Sequence, residues 1–228
     1  KRQAIELARK NSATEEYLLE KFVSGELYSH SAFLKNKRAI KNFFVKEDST
    51  VNSFVVDTSR VIFSPPPEMQ RQIINAIEKL ARYLRLKDGL IHSQFIWDGC
   101  NIYLIDRNRR IAGDLYSQLI ELSTGHPYVE NYVRPFLDMP YKNIEDSDTR
   151  IPIMRHTVSV SKEQNFKHIS FKESLFLESW VALSSAGDRV KASPDGSVGI
   201  LFARAKSQAE LLTLYETTIR RQLYEVVD

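Results

Sequence analysis

Two strand patterns joined by a tight turn constrain this chain more than any other feature. Gly89-Leu90-Ile91-His92-Ser93-Gln94-Phe95-Ile96 reads as one strand, and Tyr103-Leu104-Ile105-Asp106-Arg107-Asn108-Arg109-Arg110 as the next. Trp97-Asp98-Gly99-Cys100-Asn101 lies between them, and Asp-Gly is a strong hairpin signal because glycine accepts the positive φ of tight turns. Alternate side chains of an extended strand share a face. Asp106, Asn108 and Arg110 are therefore expected on one face and Arg107 and Arg109 on the other, with Gln94 facing the first set from the neighbouring strand. A carboxylate oxygen, an amide oxygen and a guanidinium on one strip suit a magnesium ion carrying phosphates. Hard oxygen donors hold such an ion, and arginine pairs with phosphate oxygens. The same alternation also fits a half-buried edge strand with a charged wet face. The hairpin, and a helix opening after Ile111-Ala112-Gly113-Asp114 and running to about Ser123 before Gly125, favour a site.

Short strand patterns come before the hairpin, at residues 17–23, 26–34, 40–45 and 51–56, with the basic loop Lys35-Asn36-Lys37-Arg38 between two of them. The clearest helix is expected from about Glu68 to Leu86, where Ile73, Ile74, Ile77, Leu80, Ala81 and Leu84 form one apolar stripe after Pro65-Pro66-Pro67. A short helix is expected over 128–138 and a polar loop over 140–151. The last third reads as strands near 152–160, 166–171 and 174–182, with helix an alternative for the third. A hairpin of 188–193 with 197–203, turning at Ser193-Pro194-Asp195-Gly196, and a closing helix over 207–226 complete the chain. The fold class expected is α+β, an antiparallel sheet with flanking helices.

Composition excludes more than it selects. With 32 basic and 29 acidic residues the net charge is +3, and it is not gathered into a basic platform, so nucleic acid is not an expected partner. No apolar run approaches the length that spans a membrane. A single cysteine, Cys100, rules out an intramolecular disulfide framework and fits a reducing, cytoplasmic setting. The five histidines show no metal-ligand spacing, which argues against zinc. Ser184-Ser185-Ala186-Gly187-Asp188 has no Ser–His–Asp context. Three positions stay open: His92 is structural or orients a substrate, Arg155 lines a pocket or sits on the surface, and the backbone at Gly113 receives an anion or simply starts a helix.

Taken together, these residues resemble the C-terminal portion of an ATP-grasp enzyme of the carboxylate–amine ligase branch. In that superfamily the strand that closes the nucleotide site carries an acid-x-Asn-x-Arg motif, similar to Asp106-Arg107-Asn108-Arg109-Arg110 here. A second acid is common on the preceding strand, at the place Gln94 takes in this chain. A hinge strand of the form Val-Glu-Glu-Phe-Ile-x-Gly-Glu is similar to Leu19-Glu20-Lys21-Phe22-Val23-Ser24-Gly25-Glu26, and Arg110–Asp114 with Ser123-Thr124-Gly125 looks like the ligase branch. The resemblance runs in order from about residue 15 to residue 126.

The resemblance implies ATP and Mg2+ as cofactors. Backbone around Glu20, Lys21 and Val23 would meet adenine, and Glu26 the ribose hydroxyls. Asp106, Asn108 and Gln94 would hold magnesium, and Arg110 would touch the triphosphate or an acyl phosphate. The implied reaction activates a small-molecule carboxylate as an acyl phosphate for attack by an amine or thiol, and it leaves a homodimer open. It divides the chain into 1–24, the end of a lid subdomain with the hinge strand; 25–140, the catalytic subdomain; and 141–228, a smaller α+β subdomain. No phosphate-contacting lysine and glycine-rich lid are visible before residue 15, so a fragment of a longer protein, inactive alone, is expected. Gln94 in place of an acid and Asp106 in place of the usual glutamate leave a second function open: a degenerate module with a nucleotide-binding, regulatory or assembly role.

Overall fold

An eight-stranded antiparallel sheet carries the molecule, seen in a computed structural model that describes residues 2–145 and 149–228. In chain order the elements are α1 (Arg2–Lys10), β1 (Glu26–Lys35), β2 (Arg38–Asp48), β3 (Thr58–Val61), α2 (Pro67–Tyr83), β4 (Gly89–Trp97), β5 (Ile102–Asn108), α3 (Tyr116–Thr124) and α4 (Tyr128–Val133). A 3-10 turn, Arg134–Leu137, follows. Then come β6 (Ile153–Val158), β7 (Gln164–Asn165), β8 (His168–Phe171), β9 (Phe176–Ala182), β10 (Arg189–Val190), β11 (Gly199–Arg204), α5 (Gln208–Ile219) and β12 (Tyr224–Val227). The sheet order is β5-β4-β1-β2-β3-β6-β11-β9, and β10 with β7 and β12 with β8 form two small ribbons. One sheet thus runs through both 25–140 and 141–228, joined where β3 pairs with β6 through Thr58↔His156, Ser59↔Arg155 and Arg60↔Met154.

Strand alternation gives the sheet two apolar faces. On the front, Phe33, Phe43, Val45, Val61 and Leu90 meet Leu119 and Ile120 of α3 and Tyr128 of α4. On the back, Ala32, Leu34, Phe44, Ile91 and Phe95 meet Met69, Ile73, Ile77 and Ala81 of α2, the stripe expected from the sequence. Farther along the back, Met154, Val158, Leu201 and Ala203 meet Leu211 and Tyr215 of α5. Pro67 opens α2, where its missing N–H costs no helical hydrogen bond. Gly125 closes α3 at φ 70°, a left-handed position natural to glycine, with its N–H donating to Glu121 O. The Asp98-Gly99 turn forms as expected: Asp98 Oδ1 accepts from the N–H groups of Cys100 and Asn101 at 2.8 and 2.7 Å.

Four expectations are corrected. Residues 17–23 form no strand; Leu18, Leu19 and Phe22 are 82%, 66% and 87% exposed. No strand of the sheet pairs with this segment, and β1, which follows it, is flanked by β2 and β4. Residues 51–56 form no strand either. Their turn is organised by Asp57, whose Oδ2 accepts from Thr50 N and Oγ1 and from Val51 N, and the strand comes one step later as β3. The segments around 188–193 and 197–203 do not pair with each other: β10 pairs with β7, while β11 inserts between β6 and β9. The closing helix stops at Ile219. Arg221 takes φ 59°, and Leu223, which continues the apolar spacing of the helix, is buried after the chain has turned into β12. The polar loop expected over 140–151 lies partly outside the described residues.

Phe33 tests the front core. It is fully buried against Phe43, His126, Tyr128 and Tyr141, with ring centroids 5.3–6.4 Å away. Phe33→Ala is expected to cost about 3–5 kcal/mol in urea unfolding, as for other large buried aromatics. A loss below about 1 kcal/mol, typical of a surface substitution, would mean that α4 is not tied to the sheet through this ring.

Candidate functional site

A one-residue irregularity in the β4–β5 hairpin sets which side chains face the front of the sheet. Trp97 pairs with Ile102, Ile96 with Tyr103 and Phe95 with Leu104; the register then shifts, so that Gln94 pairs with Asp106 and His92 with Asn108. Ile105 is left over as a bulge. Bulges re-aim side chains and are common beside active sites. Here the bulge lets Leu104 pack on the back core with Phe95 while Asp106 and Asn108 turn to the front. Arg109 anchors the other direction, its Nη2 donating to Lys87 O and Asp88 O at 2.9 and 3.0 Å.

Gln94, Asp106, Asn108 and Arg110 line one cleft on the front face, as the alternation predicts. Arg110 lies past the end of β5 and still reaches the cleft. The sequence reading missed Glu47, the end of the alternation Phe43-Val45-Glu47 on β2. It also left Asp114 as a helix cap and Arg155 undecided, and both line the cleft. Extending the expected strand 40–45 by two residues was the signal that would have found Glu47. Glu20, Lys21 and Val23 lie in the irregular segment before β1 and do not line the cleft. Glu26, at the start of β1, is turned to the back: Tyr28 Oη donates to it at 2.6 Å and Lys46 lies 3.8 Å away.

Glu47 is nearly buried and accepts a hydrogen bond from Gln94 Nε2 at 2.9 Å. Burial pushes its carboxyl above the usual range, opposed by hydrogen bonds from Ser29 and Gln94 and by the charge of Arg155. Arg155 is buried too. Its Nε donates to Asp114 O, its Nη2 donates to Thr157 Oγ1 at 2.6 Å, and the Asp114 carboxylate is 3.7 Å away. Burial lowers its pKa, and Asp114, Glu47 and Asp57 work against that shift. Asp114 and Leu115 hold left-handed backbone at φ 58° and 57°, which presents the Asp114 carbonyl to Arg155. Such positions are uncommon for leucine and tend to gather at functional sites. Behind the cleft, Tyr128 Oη donates to Ser31 Oγ at 2.9 Å, and Ser31 Oγ shares a hydrogen bond of 3.0 Å with His92 Nδ1. His92 stands edge-on to Tyr116, whose hydroxyl accepts from Ser29.

Three carboxylates and two guanidiniums line the cleft, a formal balance of one negative charge with His92 neutral. Oxygens from Asp106, Asn108, Gln94 and Glu47 are donors of the kind a hard divalent cation takes. Among the described residues no three His, Cys, Asp or Glu side chains cluster as a metal site, so any such ion would rely on amide oxygens as well as carboxylates. The cleft volume is about 140 Å3, below the roughly 300–1,000 Å3 of pockets that hold whole small molecules. It has room for a cation with phosphate groups. Among the described residues no helix is long and apolar enough to cross a membrane.

No family model and no curated protein matches the chain in sequence. Solved structures share its fold. Phosphoribosylglycinamide synthetase from Anaerococcus prevotii superposes at a TM-score of 0.71 with 12% identity, over 91% of this chain and 54% of that one. An L-amino acid ligase from Bacillus licheniformis gives 0.71 with 14% identity, over 90% and 52%. The biotin carboxylase domain of the Hydrogenobacter thermophilus 2-oxoglutarate carboxylase, solved with MgADP, ADP and bicarbonate, gives 0.66 with 16% identity, over 99% and 51%. The chain spans about half the length of these structures.

Buried histidines give the chain a pH signature. Burial lowers His30 and His92 from the usual value to about 4, and it also lowers His156. From about pH 6.5, the unfolded value, down to 4 the unfolded chain binds more protons, so stability is full above 6.5 and falls below it. The urea midpoint is expected to drop between pH 6.5 and 5, where ordinary carboxylates barely titrate, and His30→Gln should flatten the slope. Glu47, raised by burial, works in the opposite sense, so the deciding quantity is the difference between proteins: an unchanged slope in His30→Gln would contradict the burial of this ring.

Proposed function

From the ATP-grasp fold of this chain and the oxygen-lined cleft within it, we propose that it is the metal- and phosphate-holding part of an ATP-dependent carboxylate–amine (or thiol) ligase. The observation that carries this reading is the Gln94↔Asp106 pairing, which gathers Asp106, Asn108, Gln94 and Arg110 beside Glu47 in one cleft. Asp106 and Asn108 would hold Mg2+, with Gln94 and Glu47 lining the same cleft. When bound, the ion neutralises charge on the phosphate oxygens. Arg110 pairs with the transferring phosphoryl group, and Arg155 with the Asp114 turn fixes the opposite wall. The nucleotide base needs a further wall, to which the backbone around Glu20, Lys21 and Val23 contributes in a longer protein, while Glu26, turned to the back against Tyr28 and Lys46, would have to turn to meet the ribose hydroxyls.

The chemistry is phosphoryl transfer followed by acyl transfer. A substrate carboxylate oxygen attacks the γ-phosphorus and the bond to the β–γ bridging oxygen breaks, releasing ADP. The amine nitrogen then attacks the acyl carbon, loses its proton, and phosphate leaves with the electrons of the broken C–O bond. No protein nucleophile is needed; the site positions reactants and balances charge. Small-molecule carboxylates and amines in a cytoplasmic setting are the partners this reading implies. The second reading, a nucleotide-binding module without catalysis, rests on Gln94 standing where an acid is common. Glu47 counts against it, because a carboxylate from β2 reaches the same cleft and replaces the missing charge.

Two measurements test the proposal. In the full-length protein, Asp106→Ala is expected to abolish magnesium-dependent ATP turnover with an unchanged circular dichroism spectrum; unchanged turnover would sink the assignment. Gln94→Glu places a second carboxylate where the amide now donates to Glu47. Like charges raise each other's cost when no cation is present. The variant is therefore expected to melt lower than the parent in EDTA, to recover with Mg2+, and to bind Mn2+ more tightly by electron paramagnetic resonance. Equal melting in both conditions would remove Gln94 and Glu47 from the metal's surroundings.

A further inference from the structure

The cleft uses one face of β3, and the other face opens on a second hollow. Ser59 lines the cleft, while its neighbour Arg60 points to the back of the sheet, as strand alternation requires. Arg60 pairs with Lys46 of β2, which pairs with Tyr28 of β1. Arg60 and Tyr28 line a groove of about 520 Å3 that runs beside the start of α5. Lys206 enters it from the α5 end, and Arg150 from the segment before β6. Among the described residues no carboxylate lines this groove. The nearby acids are engaged elsewhere, since Asp48 and Glu26 lie 3.3 and 3.8 Å from Lys46. Among the described residues none of Arg60, Arg150 and Lys206 takes part in an ion pair.

Arg60 is held in place rather than swinging in solvent. Its guanidinium lies over the Tyr215 ring, 5.1 Å from the centroid, and its Nε is buried with no hydrogen-bond acceptor. The α5 terminus is already satisfied: Ser207 Oγ accepts from Glu210 N at 3.2 Å, and Glu210 Oε2 accepts from Lys206 N at 2.7 Å. The positive character of the groove therefore comes from its side chains. Phe63, Pro152 and Leu212 provide an apolar wall beside them.

We propose that this groove is a binding site for a phosphate monoester with an apolar body. A phosphate monoester carries close to two negative charges at neutral pH and matches the forked donors of two arginines, with a lysine as a third cation. The volume is that of a small-molecule pocket, and the wall accepts an aromatic or aliphatic group. The sheet separates this groove from the cleft, so the proposal stands apart from the ligase reading and survives or fails without it.

The test is titration of the chain with phenyl phosphate by calorimetry and by amide chemical shifts, with phenol and inorganic phosphate as controls. Phenyl phosphate is expected to bind saturably, to move resonances around Arg60 and Lys206, to weaken with added salt, and to bind more tightly than either control. Arg60→Ala also strips the Tyr215 ring of its cover and can destabilise α5, so the exposed pair is used: Arg150→Ala with Lys206→Ala is expected to weaken binding by about tenfold or more. Arg110→Ala, in the cleft, is expected to leave the affinity unchanged. Three outcomes overturn the proposal. They are no saturation at concentrations on the order of 10 mM, equal affinity in the double variant, and loss of binding in Arg110→Ala, which would place the anion in the cleft.

Discussion

A guanidinium taken out of water must be compensated, and Arg155 imposes that constraint on the whole front of the molecule. It sits on β6 at the seam where β3 pairs with β6, and it is one of the largest fully buried side chains. An unpaired buried charge of this kind costs several kcal/mol, on the order of 3–5 when one partner is removed. The compensation comes from three directions. The left-handed turn at Asp114 and Leu115 offers a carbonyl and a carboxylate, Thr157 offers a hydroxyl, and Glu47 adds a charge from across β3. The turn before α3, the end of β2 and the start of β6 are thereby held around one point. That point is the wall of the cleft.

The cleft in turn balances charge with few acids. Asp106 is exposed and Glu47 is buried, and the amide of Gln94 stands between them as a donor to Glu47 and a strand partner to Asp106. Glu47 accepts from the Gln94 amide, while burial holds its carboxyl above the usual range. Structural likeness at 12–16% identity establishes the fold, and this local chemistry supplies the argument for what the fold does here.

β3 links the two polar hollows. Four residues long, it alternates between them: Ser59 faces the cleft and Arg60 the groove, while Thr58 Oγ1 meets His156 Nδ1 at 2.8 Å on the back. It also holds the two halves of the sheet together, with β2 on one side and β6 on the other. A strand this short has little ladder of its own. Its position depends on its neighbours β2 and β6.

The sequence by itself determined the local features. Asp98-Gly99 specified a hairpin, Pro65-Pro66-Pro67 with the Ile73–Ala81 stripe specified α2, and Gly125 ended α3, because turn chemistry and helical periodicity act within a few residues. The strip Asp106, Asn108 and Arg110 was legible for the same reason, and it lines one cleft as expected. Pairing between distant segments was decided only by the tertiary structure. The bulge at Ile105 is invisible in Tyr103-Leu104-Ile105, an apolar run without alternation, and it exists because Leu104 packs on α2 while Asp106 pairs with Gln94. Residues 17–23 have the composition of a strand and form none, because a strand exists only where a partner ladder meets it, and none meets this segment. Glu47 and Arg155 lie 108 positions apart and meet only because β3 places their strands on either side of itself. Apart from Thr157, two residues from Arg155, the groups that meet these side chains, Asp114 and Gln94, lie tens of residues away in the sequence.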